Sequence, residues 1–269
     1  YIILRSSGPV NSLSFARLYK FTVSGFALNY VTPVGLMGGE PYRIMELTSY
    51  VGVERATSSV ILYVMMHIFS HFCFWLSSVL IYVFFYPVGW GMGIVLGLIT
   101  LFCLLLVTLF IKGYRNGMAV ACIRLGSHIP FLKKRAVRFA ELHKEKLETI
   151  DSQIALLHQQ RKSTFYSALG LEYTARIVGC LEVWLILNVL TTDVSFVGCI
   201  LIVAFSSLLA NLLFFLPMQL GGREGGFALA VAGLSLSGAY GVFAALITRV
   251  REMVWIVIGL VLMKIGNRR

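Results

Sequence analysis

Charge is scarce in this chain of 269 residues: Asp, Glu, Lys and Arg together make up 13%, while hydrophobic residues make up 58%. One water-facing core cannot hide that much apolar surface, so a soluble globular protein is excluded and a polytopic membrane protein is expected. The pattern GxxxxGKS/T is absent, which excludes nucleotide binding of the Walker type. HExxH and GxSxG are absent too. The five cysteines (Cys73, Cys103, Cys122, Cys180, Cys199) show no CxxC spacing and lie mostly in apolar runs, where cysteine acts as a small hydrophobe. No metal, no cofactor and no catalytic residue is therefore expected, and the chain reads as a non-enzyme.

Acidic residues are the scarcer sign, 12 against 23 Lys and Arg, for a net charge of +11. Where the excess lies decides its meaning. Residues 112 to 162 hold Lys112, Arg115, Arg124, Lys133, Lys134, Arg135, Arg138, Lys144, Lys146, Arg161 and Lys162 against Glu141, Glu145, Glu148 and Asp151. The connections "YPVGWG" (86 to 91) and "TTDVS" (191 to 195) hold no Lys or Arg. That asymmetry is the positive-inside pattern, so residues 112 to 162 are expected in the cytoplasm, facing anionic headgroups rather than nucleic acid. Within them Ala140, Leu147, Ile150, Ile154 and Leu157 fall at roughly heptad spacing. A helix lying on the membrane or on its own neighbours is expected there, with a homodimer through a coiled coil as the other expectation.

Apolar runs long enough to span lie at roughly 54 to 85, 92 to 111, 163 to 190 and 238 to 264. Two further runs, 12 to 32 and 196 to 216, end at Pro33 and Pro217 in the glycine-rich turns "TPVGLMGGEPYR" and "LPMQLGGREGG". Seven residues after each proline comes a glutamate, Glu40 or Glu224, with a glycine pair between, Gly38-Gly39 or Gly221-Gly222. An asparagine precedes each turn, Asn29 and Asn211. Two units of this kind read as an internal repeat. About a dozen residues separate Glu40 from Gly52, roughly 17 Å of helix, too short for a hydrocarbon core of about 30 Å. Each turn is thus expected to enter the membrane and come back, with its backbone buried among helices or lining a wet cavity.

Counting crossings from a cytoplasmic 112 to 162 makes the first hairpin (about 12 to 50) cytoplasmic and the second (about 196 to 237) external, an inverted repeat. The expected fold is all-α: a single polytopic membrane domain over 1 to 269 with two re-entrant helical hairpins. The chain opens on "YIILR", which reads as the continuation of something longer.

Charges inside a bilayer are costly and usually functional. The candidate substrate-binding residues are Glu40 and Arg43 in the first hairpin, Glu172, Arg176 and Glu182 in the helix at 163 to 190, Arg223 and Glu224 in the second hairpin, and Arg249 and Arg251 in the last helix. Glu172 and Arg176 are four apart and are expected to pair on one helix face. Arginines suit a phosphate, and carboxylates suit cationic or hydroxyl groups. Pro33, Gly38, Gly39, Pro217, Gly221 and Gly222 are the expected structural turn residues. His67 and His71, at i and i+4, read as a polar helix face rather than half a metal site.

At "NYVTPVGLMGGEPYRIMEL" (29 to 47), "ARIVGCLEVWLILNVL" (175 to 190), "LPMQLGGREGG" (216 to 226) and "LITRVREMVWIVIGL" (246 to 260) the chain resembles the flippase-like transmembrane family typified by the membrane portion of lysylphosphatidylglycerol synthase. The resemblance implies a lipid flippase, moving an anionic or aminoacylated phospholipid or a related lipid-linked molecule between leaflets of a bacterial inner (plasma) membrane. It does not extend to lysyl transfer. Where the family often carries an arginine about eleven residues after Gly52, matching Arg249 after Gly238, this chain has Tyr63. Two other functions fit the residues: an intramembrane lipid-modifying enzyme with Glu40 and Glu224 as acid and base, and a non-catalytic membrane assembly partner.

Overall fold

The computed structural model describes residues 1–10, 13–32, 38–116, 152, 162–191, 194–213 and 219–265, and among these no strand occurs. Nine helices follow one another among the described residues: α1 (Ile2–Ser6), α2 (Phe15–Val31), α3 (Gly39–Val51), α4 (Val53–Phe85), α5 (Trp90–Asn116), α6 (Lys162–Leu190), α7 (Phe196–Leu212), α8 (Gly222–Gly233) and α9 (Gly238–Ile265). Pro33 and Pro217 lie outside the described residues, as do residues 117 to 161 except Ser152. The heptad-like positions of the basic region fall there as well.

Local chemistry sets the helix boundaries. Ser14 caps α2 by accepting from the Arg17 N–H, and Ser195 caps α7 by accepting from the Gly198 N–H. Gly52 stands between α3 and α4 at φ 81°, ψ 159°, a conformation that residues with a Cβ avoid. Gly221, at φ 79°, opens α8, and the Glu224 carboxylate accepts from its N–H at 2.9 Å. The short helices α3 and α8 have 13 and 12 residues, about 20 Å and 18 Å long, so neither crosses a bilayer.

Among the described residues three helices are both long and apolar enough to cross: Val53–Phe85, Trp90–Ile111 and the stretch Ser163–Leu190 of α6. The last helix departs from expectation. At 28 residues α9 has the length, but Arg249, Arg251 and Glu252 sit at its centre and take it out of the apolar class. Those charges are held in ion pairs with α6 and α8, which is how a helix of that length carries them.

The helices fall into two series of matching order: 17, 13 and 33 residues for α2, α3 and α4, and 17, 12 and 28 for α7, α8 and α9. Within each, the 17-residue arm packs on the short helix and the short helix on the long one. Between them the packing is reciprocal, α2 against α9 and α7 against α4. Small residues allow the closest approaches. A Cβ on Gly259 would meet the Val23 carbonyl, and Ser24 Oγ donates to the Gly259 carbonyl at 3.0 Å, so α2 and α9 touch backbone to backbone. A Cβ on Gly39 would strike the Gly25 carbonyl in the same way.

Three apolar clusters fill the interior. Met66, Phe74 and Trp75 of α4 pack with Cys103, Cys180 and Leu208. Leu187, Ile202, Phe227 and Val231 join α6, α7 and α8 beneath Ala244 and Ala245 of α9. Leu4, Phe21, Leu47 and Val60 join α1 to α4. By contrast α5 packs on α4 and exposes Leu98, Leu101, Leu105 and Leu109, the surface of a helix that meets lipid.

Candidate functional site

The charged side chains of the described core gather into three groups, and two of these lie at or near the middle of the long helices that carry them. Arg176 is the middle residue of the 29-residue α6. Arg251 and Glu252 are the two middle residues of α9. His67 lies two residues, about 3 Å of rise, from the centre of the 33-residue α4.

The first group belongs to the first hairpin. Glu40 Oε1 accepts from Asn29 Nδ2 at 3.1 Å and from Arg43 Nη1 at 3.2 Å, while Asn29 Oδ1 accepts the Gly39 N–H at 2.7 Å. Asn29 thus reaches from α2 to hold the first turn of α3, satisfying an N–H that no helical carbonyl can reach. Arg43 runs back over Gly25, whose missing Cβ leaves room for its guanidinium, and Nη2 donates to the Thr22 carbonyl at 3.1 Å. The guanidinium also lies over the Tyr63 ring at 5.3 Å. Tyr63 stands where the resemblance led to the expectation of an arginine, and the Arg43 guanidinium lies against it instead. Arg43 Nε and Ser59 Oγ are buried without a hydrogen-bond partner among the described residues, and both residues line a cavity of about 130 Å³ walled by Leu18, Phe21, Leu47 and Tyr63.

The second group joins the second hairpin to α9. Glu224 Oε1 accepts from both Nε and Nη2 of Arg249, and Oε2 is occupied by the Gly221 N–H. Arg223 binds Glu252 and, at 3.3 Å, Thr248 Oγ1. Arg251 reaches Glu182 on α6 at 2.7 Å and stands 3.9 Å from Glu252. Tyr30 of α2 faces the same charges, interacting with Glu252, Arg223 and Arg249. Glu252 Oε2 is buried and has no hydrogen-bond partner among the described residues.

The third group lies between α4 and α6, and it corrects one expectation. Glu172 and Arg176 share a helix face, yet the partner of the Glu172 carboxylate is His67 Nδ1, at 2.9 Å. Arg176 instead donates from Nε to Ser70 Oγ at 2.8 Å and from Nη2 to the His67 carbonyl at 2.9 Å. Partners on the facing helix lie within direct reach, so the intrahelical pair gives way to interhelical bonds. No group of three or more metal-ligating side chains occurs among the described residues.

The structure also separates what the spacing equated. Asn29 bridges to Glu40, whereas Asn211 donates back to the Ser207 carbonyl of its own helix. Arg43 answers Glu40 from the same helix, and Arg249 answers Glu224 from a different one. Neither glutamate lines the cavity beside Arg43. Tyr30, Tyr63, His67 and Ser59 were not among the expected site residues. Glu252 was legible as a charge inside an apolar helix, and Gly241, Ala245, Thr248, Glu252 and Gly259 follow helical spacing on one face of small residues, which is the face that is buried. Comparison with known proteins matches residues 2–260 to the family described as "Lysylphosphatidylglycerol synthase TM region". No curated protein and no solved structure matches the chain.

Proposed function

The chain belongs to the lysylphosphatidylglycerol synthase transmembrane-region family, an integral membrane family associated with lipid handling, and from that premise we propose that it moves a phospholipid, or a related lipid-linked polar molecule, between leaflets without altering it chemically. The observation that carries this reading is the layer of paired charges at the centres of α4, α6 and α9 in a protein whose outer helical faces are apolar. Charges at that depth are too costly to serve packing alone, where apolar residues would do as well. A headgroup with an anionic phosphate and polar substituents needs both signs in its path, and both signs alternate along this layer.

In this reading the two hairpins insert from opposite faces, with residues 112 to 162 in the cytoplasm of a bacterial cell. The reciprocal packing of α2 on α9 and α7 on α4 supports such a two-fold relation. The layer lets a headgroup exchange an existing arginine or carboxylate partner for its own groups, so no bare charge is left in a low-dielectric setting. Arg43, with an unmatched Nε–H beside a cavity, is placed to take a phosphate oxygen. The membrane lipid is the partner, and no cofactor is called on.

The test is reconstitution in vesicles containing phosphatidylglycerol with a fluorescent acyl chain, without nucleotide, followed by chemical bleaching of the outer leaflet. Bleaching that runs well past the outer half, absent from empty vesicles, is expected. Bleaching confined to the outer half with folded protein present refutes the reading. Chemical conversion of the lipid would replace it with the lipid-modifying enzyme.

A further inference from the structure

The pair between α4 and α6 is unlike the other ion pairs of the layer. Elsewhere an arginine meets a carboxylate and both charges are permanent near neutral pH. Here an imidazole meets a carboxylate, and histidine is the side chain whose charge changes in that range. His67 Nδ1 stands 2.9 Å from Glu172 Oε2, a spacing that requires a proton between them. The imidazole carries one proton there already in its neutral form and has Nε2 for a second. With the side chain of His67 about half exposed (47%) near the centre of a spanning helix, the pair needs a wet crevice, because lipid would not tolerate it.

We propose that the His67–Glu172 pair takes up and releases the proton that drives lipid movement, which makes the protein a proton-coupled transporter. This rests on the transport reading above. Loading forms one N–H bond at His67 at the expense of an O–H bond of hydronium on one side of the membrane, and unloading reverses the exchange on the other. The pair then alternates between imidazolium–carboxylate, net neutral, and imidazole–carboxylate, net negative.

The groups around the pair supply the coupling. From α6 come Glu172 and Arg176, the latter bonded to the His67 carbonyl. On α4 itself stand Tyr63, its ring 6.3 Å from that of His67, and His71 at 5.3 Å, whose buried Nδ1 has no hydrogen-bond partner among the described residues. From α3 comes Arg43, whose guanidinium lies over the Tyr63 ring at 5.3 Å and is bonded to Glu40. Among the described side chains, α5 and α7 bring no acidic or basic group, and Arg5 of α1 lies over the Tyr1 ring. Tyr63 therefore stands between the titrating pair and the first hairpin, so a charge change at His67 is felt at Arg43.

The experiment uses the whole chain in vesicles with fluorescent phosphatidylglycerol in the membrane and a pH-sensitive dye trapped inside, under an imposed gradient of one pH unit. With one proton moved per lipid, that gradient holds about a tenfold leaflet asymmetry at equilibrium, because a pH unit and a decade in an equilibrium ratio are the same energy. The native protein is expected to approach that asymmetry, with proton flow in step with lipid. His67→Gln and His67→Asn should each abolish both the dye response and the leaflet asymmetry under the gradient. Even distribution by the native protein under the gradient overturns the proton coupling and leaves lipid transport standing. Absence of any lipid movement by the folded native protein overturns the transport reading, and the coupling with it.

Discussion

Removing either partner of the Glu224–Arg249 pair should damage the protein in two ways that the double substitution separates. The pair is well enclosed, with side-chain exposures of 12% for Arg249 and 19% for Glu224, and one carboxylate oxygen takes two arginine N–H groups. Taking away one partner leaves an uncompensated charge, a loss of about 3–5 kcal/mol for buried pairs. Arg249→Met strands Glu224, which keeps only the Gly221 N–H among these bonds, and Glu224→Gln strands Arg249. Arg249 holds a further interaction beyond these, so the double variant should not regain full stability. It should nonetheless be more stable than the sum of the single losses implies, by roughly 0.5–3 kcal/mol of coupling. Denaturant unfolding in detergent, followed by tryptophan fluorescence, reads this directly. Single losses that add to within about 0.5 kcal/mol would refute the pairing energetics. Leaflet exchange then assigns the role: a double variant that is folded but moves no lipid shows that the charges serve the headgroup. Restored exchange would show that they are scaffold.

Gly39→Ala and Gly241→Ala each drive a Cβ into backbone, the Gly25 carbonyl and the Phe227 carbonyl, and overpacking of this kind costs about 1–3 kcal/mol. Gly97→Ala on lipid-facing α5 meets nothing within 4 Å and should leave the unfolding midpoint unchanged or slightly raised. Asn29→Ala should cost about 1–3 kcal/mol, since it strips the Gly39 N–H and Glu40 of a partner, while Asn211→Ala should be within about 0.5 kcal/mol of native. Equal losses at the two asparagines would contradict their different bonding. A cysteine in place of Asn116 should react with an impermeant reagent from the cytoplasmic face alone, and one in place of Thr192 from the outer face alone. Reaction of both from one face would remove the inverted repeat.

Much of the architecture was legible because it depends on local sums along the chain. Helix length against bilayer thickness needs only a count of residues, so Val53–Phe85, Trp90–Ile111 and Ser163–Leu190 were readable as spans, and the 13 and 12 residues of α3 and α8 as too short. Glycine pairs, the break at Gly52 and the glutamates in the first turns of α3 and α8 are local as well. Partner choice is not local. Glu172 and Arg176 are adjacent on a helix, yet each is bound to α4, more than a hundred residues away in sequence, because the facing helix presents His67 and Ser70 at bonding distance. Only the crossing of α8 and α9 brings Arg223 to Glu252, and only the glycine contacts of α2 with α3 leave space for Arg43 to lie over Tyr63. Spacing made the two hairpins look equivalent, and the tertiary structure made them differ, since a side chain's bond is decided by what the neighbouring helix places within about 3 Å of it.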